Sequence, residues 1–368
     1  DRLGFAGGAD NSAGFGPGGG GHDGNRGGAG GGHGGQGGGG NFQIMGNYFY
    51  GSRGQAYDDL FDPGQPGSGG AQSYGGAGGG AVILESAGRA ALNGSILARG
   101  GNGSPQFQGA PCCGGGGAGG TIRVKAASIE GSGTLDAGGG SGFPEDYGTF
   151  GGGGGGGGRV SLAGAGAFTA GVMLQTEPGA AGGPLSERGG AGTVVLREPG
   201  REPILIVSAQ AKPFTPANDH AYTPISMPLS LEAFHIKNAA VISTGAAQPI
   251  TASSSFTFSG ESLLSVSTLA FPAEGIQVFV LPAHSTLTAY SMSRDPGWEW
   301  VIDGGLYLST GIIGSSVTVR GRLSATGIAT PGNLSLLAGA SLSHPEAYLP
   351  GLALNVGGDL SVASGALI

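Results

Sequence analysis

Seventy of the 86 glycines fall in the first 200 residues, and they fall in tracts: Gly18 to Gly21, Gly37 to Gly40, Gly114 to Gly117 and the run Gly151 to Gly158. Glycine loses more conformational entropy on folding than any other residue. An ordered chain this rich in glycine must draw its stability from backbone pairing and close chain approach, because the tracts have no side chains to bury. That favours a fibrous or repetitive architecture over an ordinary enzyme core.

Collagen is excluded, since glycine does not recur strictly at every third position. Charge-driven disorder is disfavoured, because charged residues make up only 11% of the chain and hydrophobic ones 38%, against a usual charged fraction of ~25%. A net charge of −8 argues against nucleic acid as a partner, which needs a basic patch. No apolar run approaches the ~20 residues of a membrane-spanning helix. The chain opens at Asp1 without an initiator methionine and closes at Ile368 in an apolar segment, the expectation for a processed protein or part of a longer one.

Four segments repeat: Ala81 to Ser86, Thr121 to Ala126, Arg159 to Gly164 and Thr193 to Glu198. Each follows Gly-Gly or Ala-Gly and alternates apolar residues with period two, the strand signature. A shorter apolar segment follows each of the first three: Ser95 to Ala98, Thr134 to Ala137 and Val172 to Gln175. Glycine then returns. A unit of strand, turn, strand and glycine excursion is the mark of a solenoid. It predicts that Val82, Leu84, Ile122, Val124, Val160, Leu162, Val194 and Leu196 share one buried face. The glycine excursions are expected to form extended helices of three residues per turn that pack against one another; floppy surface loops are the alternative.

Only 16 glycines remain beyond residue 200, and six prolines cluster from Pro199 to Pro228. A boundary near Gly200 divides the chain into a glycine-rich domain, 1–200, and a second domain, 201–368. Strand patterns recur in the second without helical periodicity. Segments starting at Gly305, Asn333 and Asp359 share an x-Leu-x-Leu/Val pattern followed by a small residue at a corner, and are expected at equivalent positions of successive rungs. A β-sandwich is the alternative for 201–300. The fold class is thus all-β, a parallel β-helix or solenoid with polyglycine II-like tracts and essentially no α-helix.

The rungs over 230–368 resemble those of parallel β-helices in large bacterial secreted adhesins and autotransporter passengers. Together the halves resemble the glycine-rich β-solenoid repeat regions of giant bacterial surface proteins. The tracts are similar in kind to the polyglycine sandwich of phage tail-fibre adhesins. The resemblance implies no catalytic residues and no cofactor.

Few residues suggest a site. Trp298 and Trp300, on one face of a strand with Glu299 on the other, would form either a sugar platform or the seal of a solenoid corner or interface. Cys112 and Cys113 are adjacent, with Cα atoms ~3.8 Å apart, below the usual ~4.4–6.8 Å of a disulfide. Two thiols, a strained vicinal disulfide and a bridge to another subunit all remain open. Asp58 and Asp59, Glu145 and Asp146, and the acids Asp295, Glu299 and Asp303 do not make a carboxylate pair recognisable for glycoside cleavage. His22 and His33 lack metal-ligand spacing, and the stretch Gly20 to Asn25 is an unrepeated approach to a calcium turn. Leu3, Phe5 and Phe15 at one end, and Leu360, Val362, Leu367 and Ile368 at the other, are candidate assembly contacts, the N-terminal arm adding to the next subunit's sheet.

The functional expectation is a structural subunit or segment of an extracellular fibre, sheath or surface appendage, without enzymatic activity, whose partners are copies of itself joined head to tail. A glycan- or receptor-binding adhesin is the alternative, and a polysaccharide-active β-helix enzyme the second.

Overall fold

In a computed structural model, residues 3–9, 12–22, 27–44, 47–72, 74–104, 113–144, 151–209, 221–244, 249–271, 278–292, 297–345 and 352–368 are described, without the side chains of 41–50. Among them there is no helix; strands, turns and extended segments make them up. It divides into two compact units, 1–224 and 225–368. The boundary lies beyond the expected one near Gly200. Strand Ile204–Ser208 folds back antiparallel onto Thr193–Arg197, and the Tyr222 carbonyl accepts the Gln36 amide at 3.0 Å, so the first unit keeps both.

In the first unit the four repeated segments form one parallel ladder. Val82, Ile122, Val160 and Val194 stand in register, and so do Leu84, Val124, Leu162 and Leu196. The shorter segments form a second parallel ladder, with Ser95, Thr134 and Met173 in register. Leu135, Ala137 and Val172 pack with the first ladder's Ile122, Val124, Val160 and Leu162 into a single apolar cluster. Six of the eight expected core residues are buried. The exceptions, Val82 and Leu84, sit on the edge strand Ala81–Ala91, where Leu84 is 41% exposed.

The glycine tracts are ordered by a hydrogen-bond pattern of period three. Along Gly152 to Gly158, successive amides donate to three different neighbours in turn. Gly152, Gly155 and Gly158 donate to Phe143, Gly140 and Ala137; Gly153 and Gly156 to Gly28 and Gly31; Gly154 and Gly157 to Glu187 and Gly190, all at 2.8–3.0 Å. Its carbonyls accept from three more neighbours: Gly116 and Gly119, Gly35 and Gly38, and Gly179 and Gly182. The central tract thus has six hydrogen-bonded neighbours. The tract over residues 113–120 repeats the scheme: Gly115 and Ala118 donate to Ala71 and Ser68, Gly116 and Gly119 to Gly153 and Gly156, and Gly117 and Gly120 to Gly101 and Ala98. A chain with three residues per turn aims its N–H groups at 120° intervals, which is how glycine without side chains satisfies its backbone groups while packed on all sides.

In the second unit, a long parallel ladder runs through Leu229–Lys237, Pro249–Ser259, Leu263–Ala270, Thr286–Met292, Gly305–Leu308, Arg322–Ser324 and Ser341–Ser343. The parallel pairing replaces the antiparallel sheets that a β-sandwich over 201–300 required. A second ladder joins Val278–Leu281, Glu299–Ile302, Ser316–Val319, Leu334–Leu336 and Leu360–Val362. A third joins Ile312–Ile313, Gly327–Thr330 and Ala353–Val356. From Gly305 onward the chain visits the three in rotation, a solenoid-like arrangement. Leu264, Leu287, Leu306, Leu323 and Leu342 stack in register, each no more than 2% exposed.

One expected equivalence is corrected. The segments at Asn333 and Asp359 are successive rungs, since Leu334 pairs with Leu360. Gly305 is on a different ladder and pairs with Arg322. Every face carries the same apolar alternation, so pattern alone does not distinguish a full rung from a rung and a face.

Candidate functional site

Three features of the described surface and interior bear on function: open ladder edges, a buried polar lock, and a polar groove.

The edges come first. Among the described residues, strand Ala81–Ala91 pairs on one side only, with Thr121–Glu130, and leaves Ile83, Leu84 and, on the neighbouring short strand, Leu97 exposed. In the second unit the strands Ala353–Val356 and Leu360–Val362 are likewise paired on one side among the described residues. Leu354, Leu360, Val362, Leu367 and Ile368 are exposed there, with Leu367 67% exposed although its backbone bridges Ser341. Interior rungs of the same columns, such as Val317 and Leu334, are fully buried. The expected assembly contacts Leu367 and Ile368 thus belong to an apolar edge.

The N-terminal arm is placed otherwise. Phe5 and Gly8 donate to Gly67 and Gly70 at 3.1 and 2.8 Å, Gly78 donates to Phe5 at 2.8 Å, and Gly69 donates to Phe15 at 2.9 Å. The arm's backbone is therefore engaged in the chain's own glycine bundle, and strand addition to a neighbour through these groups is not available. The side chains of Leu3 and Phe15 remain exposed, and Phe5 is half-buried. A glycine-rich arm finds its partners in the nearest glycine tracts, where only backbone complementarity is asked of it.

Trp298 and Trp300 lie inside the second unit, 2% and 1% exposed. Their ring centroids are 5.8 Å apart, with Phe271 5.1 Å from Trp298 and Phe279 5.1 Å from Trp300. The Trp300 indole donates to the Ile313 carbonyl at 3.1 Å. Their faces pack on phenylalanine, so this arrangement seals a corner and offers no platform to a sugar; Glu299 alone points outward, exposed. Cys113 is buried within a glycine tract, and its carbonyl accepts the Gly28 amide at 2.9 Å. Cys112 lies outside the described residues, as do Glu145, Asp146, Asp295 and residues 23–25 of the Gly20 to Asn25 stretch. Among the described residues, no three metal-ligating side chains gather.

The polar lock was not foreseen. Residues 53–66 lie over the outer face of the first ladder and are held by its outward side chains. Thr121 donates to the Gln65 carbonyl at 2.7 Å, Ser161 to that of Phe61 at 2.7 Å, and Arg159 to that of Tyr57 at 2.9 and 3.1 Å. Arg159 also reaches Thr193, its register partner, at 3.0 Å. Asp58 adopts a left-handed φ of 72°. Its carboxylate accepts the Gly64 and Gln65 amides at 2.8 Å and faces His33 Nε2 at 3.4 Å. Burial works against that carboxylate's charge, but the hydrogen bonds from His33, Gln65, Asp59 and Gly64 outweigh it and hold the group down at about 2. His33 is fully buried and held below its ordinary range by desolvation, and its ring nitrogens face two acceptors, Nδ1 the Gly119 carbonyl at 3.0 Å and Nε2 the Asp58 carboxylate, between which the single N–H of the neutral ring is placed by the tautomer. Burial likewise brings Arg159 down to about 10 and pushes Tyr57 up to about 12. Both nitrogens of His33 are committed, so the His–Asp pair pins the segment and leaves no position for a nucleophile. The sequence signal was a polar residue, Arg159, directly after the glycine run, at the outward position of a strand with both faces covered.

The groove runs beside the short ladder of the first unit. It has a volume of about 450 Å³ and is lined by Arg99, Asn102, Asp136, Ser141, Gln175 and Glu177 over a glycine floor. Asp136 pairs with Arg99 at 2.6 Å and accepts the Gly138 amide at 2.9 Å. Asn102 accepts the Ser141 amide at 2.8 Å.

Compared with known proteins, the chain matches no family, no curated protein and no solved structure. The functional reading therefore rests on these features alone.

Proposed function

We infer that the chain is a structural subunit or segment of an extracellular fibre, sheath or surface appendage, built as a polyglycine II bundle joined to a parallel β-solenoid and assembling with copies of itself through its ladder edges. The observation that supports this most is the glycine lattice. A tract with six hydrogen-bonded neighbours has little use in positioning catalytic side chains, since nearly every direction from it is occupied by another backbone. It does make a dense body with backbone groups satisfied throughout, which suits a mechanical element.

The edges supply the means of growth. A parallel ladder ending in exposed apolar residues and one-sided strands presents the same surface that its own rungs use to stack. Further rungs of a longer chain or a second copy stacked there would bury Leu360, Val362 and Leu367 as Leu334 and Val317 are buried within the chain. Head-to-tail contact of this kind produces an open filament when its rotation does not close a ring.

The test is negative-stain electron microscopy of the purified chain, with light scattering across a dilution series. Uniform filaments whose length grows with concentration are expected. A monodisperse monomer at every concentration would overturn the reading.

A further inference from the structure

We propose that the groove beside Asp136 is a binding site for a neutral oligosaccharide. The inference is independent of fibre formation and does not involve the buried tryptophans.

The walls come from two neighbouring positions on three successive passes of the chain, Asp136 and Gln175 at one and Arg99 and Glu177 at the other. Ala98 donates to Asp136 and Ala137 to Gln175; Gly100 donates to Gly138 and Gly139 to Glu177. These bonds set Asp136 beside its register partner Gln175 and place Gly138 between Arg99 and Glu177, which stand two strand spacings apart, ~9.6 Å. The side chains are planar polar groups, of the kind that grip adjacent hydroxyls with paired hydrogen bonds. Arg99 donates, Glu177 accepts, and Asn102 and Gln175 offer both. The Asp136 carboxylate is already paired with Arg99 and the Gly138 amide, so it orients Arg99 and presents little net charge of its own. One guanidinium set against two carboxylates, one of them paired, does not match an anionic ligand. A chain of hydroxyls in a periodic, uncharged polymer does match it.

The floor supplies a second observation. Most glycines nearby are demanded by the lattice: a Cβ on Gly139 would meet the Gly155 oxygen at 2.3 Å, and one on Gly140 the Gly101 oxygen at 1.9 Å. Gly138 is different. A Cβ there would meet only the Asp136 carboxylate at 3.1 Å and the Glu177 oxygen at 3.5 Å, both groove atoms, and its φ lies outside the left-handed region. Lattice packing does not require glycine at this position; an unobstructed groove does.

The test is an array of neutral oligosaccharides (glucan, xylan and mannan fragments) with acidic ones alongside, probed with the intact chain, and calorimetric titration of the hits. Neutral oligosaccharides are expected to bind. Gly138→Leu, which fills the groove, and Glu177→Gln, which removes the acceptor charge without changing shape, should each weaken binding at least tenfold while leaving the melting temperature unchanged. Should Gly138→Leu fold poorly, Glu177→Gln decides alone. Absence of glycan binding, binding confined to acidic glycans, or full affinity in the folded variants would each overturn the proposal. Filament length, scored on the same samples, reports separately on the fibre reading.

Discussion

A side chain on Gly154 would have to begin 2.1 Å from the carbonyl oxygen of Gly179. The Gly154 amide at the same time donates to Glu187 at 2.9 Å, and its carbonyl accepts the Gly38 amide at 2.8 Å. No rotation of the residue relieves the clash without breaking one of these bonds. Gly154→Ala should therefore destabilise the first unit by more than the ~1–3 kcal/mol of ordinary overpacking. Gly94 is the control. Nothing lies within 4 Å of a Cβ placed there, so Gly94→Ala should be neutral or stabilising by ~0.4–1 kcal/mol through the unfolded chain. Urea midpoints followed by circular dichroism compare the two; equal midpoints would mean that the tract is a surface loop.

The ladder allows a second comparison within one column. Leu84 and Leu162 occupy the same inward position two strands apart, yet Leu162 is fully buried and Leu84 is 41% exposed. Leu162→Ala should cost about 2–5 kcal/mol, and Leu84→Ala under about 1 kcal/mol, since much of that side chain is already in water. Val124→Asp, at a buried position between them, should prevent folding of the first unit by placing an unpaired carboxylate in the ladder. Equal costs at Leu84 and Leu162 would show that the edge strand is covered in solution.

Much of this was legible from the sequence and some was not, for reasons the residues explain. The alternation in Thr121 to Ala126 and its copies fixed both ladder and register in the first unit, because inward residues repeat at nearly constant spacing after each glycine excursion. The six-neighbour lattice was foreseen only as close packing of extended helices. Which tract neighbours which is invisible in Gly151 to Gly158, where every residue is the same. The contrast between Gly138 and Gly139 is equally hidden, since their difference lies in what faces them. In the second unit, the pattern at Gly305 does not single out its partner Arg322, because all three faces share one alternation. The lock of His33, Asp58 and Arg159 joins residues remote in sequence, and no local spacing marks it.

That lock gives the first unit a pH dependence whose sign follows from its groups. The carboxyl of Asp58 is held at about 2 in the fold against an ordinary value of 3.8. A depressed carboxylate stabilises the fold above its unfolded value, and that contribution is lost as pH falls from about 4 through about 2. His33 is also lowered, from 6.5, by burial. Below that value the unfolded chain takes up a proton that the folded one resists, so stability begins to fall at mildly acid pH. Asp58 faces His33 and Arg159 neighbours it, so the two titrations are coupled. Asp58→Asn should lower the melting temperature at neutral pH, and the gap from the parent should close as pH approaches 2. A gap that stays constant down to that pH would remove Asp58 from the lock.

The arm yields a prediction opposite to that of an exchanging strand. Deleting residues 1–9 removes the Phe5 carbonyl that accepts from Gly78 and the amides that reach Gly67 and Gly70. The tracts 67–70 and 75–80 would lose one of their neighbours, so the melting temperature of the first unit should fall. Filament formation at temperatures well below that melting point should persist. Lost assembly with unchanged melting would instead return the arm to the interface between subunits.

The edge of the second unit carries the last prediction. Leu360 and Leu367 are 52% and 67% exposed, so replacing them costs the isolated chain little buried area, and surface changes of this kind usually stay within about 0.5 kcal/mol. In a stacked copy the same positions would face the next rung, as Leu334 faces Leu360 within the chain. A lysine there would be taken out of water without a partner, the device that natural edge strands use against pairing. Leu360→Lys with Leu367→Lys should thus leave circular dichroism and melting temperature near the parent's while abolishing filaments in light scattering and microscopy. The corresponding pair on the first unit's edge, Leu84→Lys with Leu97→Lys, tests whether growth uses that edge as well. If the first pair has no effect and the second stops growth, assembly runs through the glycine-rich unit; if neither changes filament length, the ladder edges are not where copies meet.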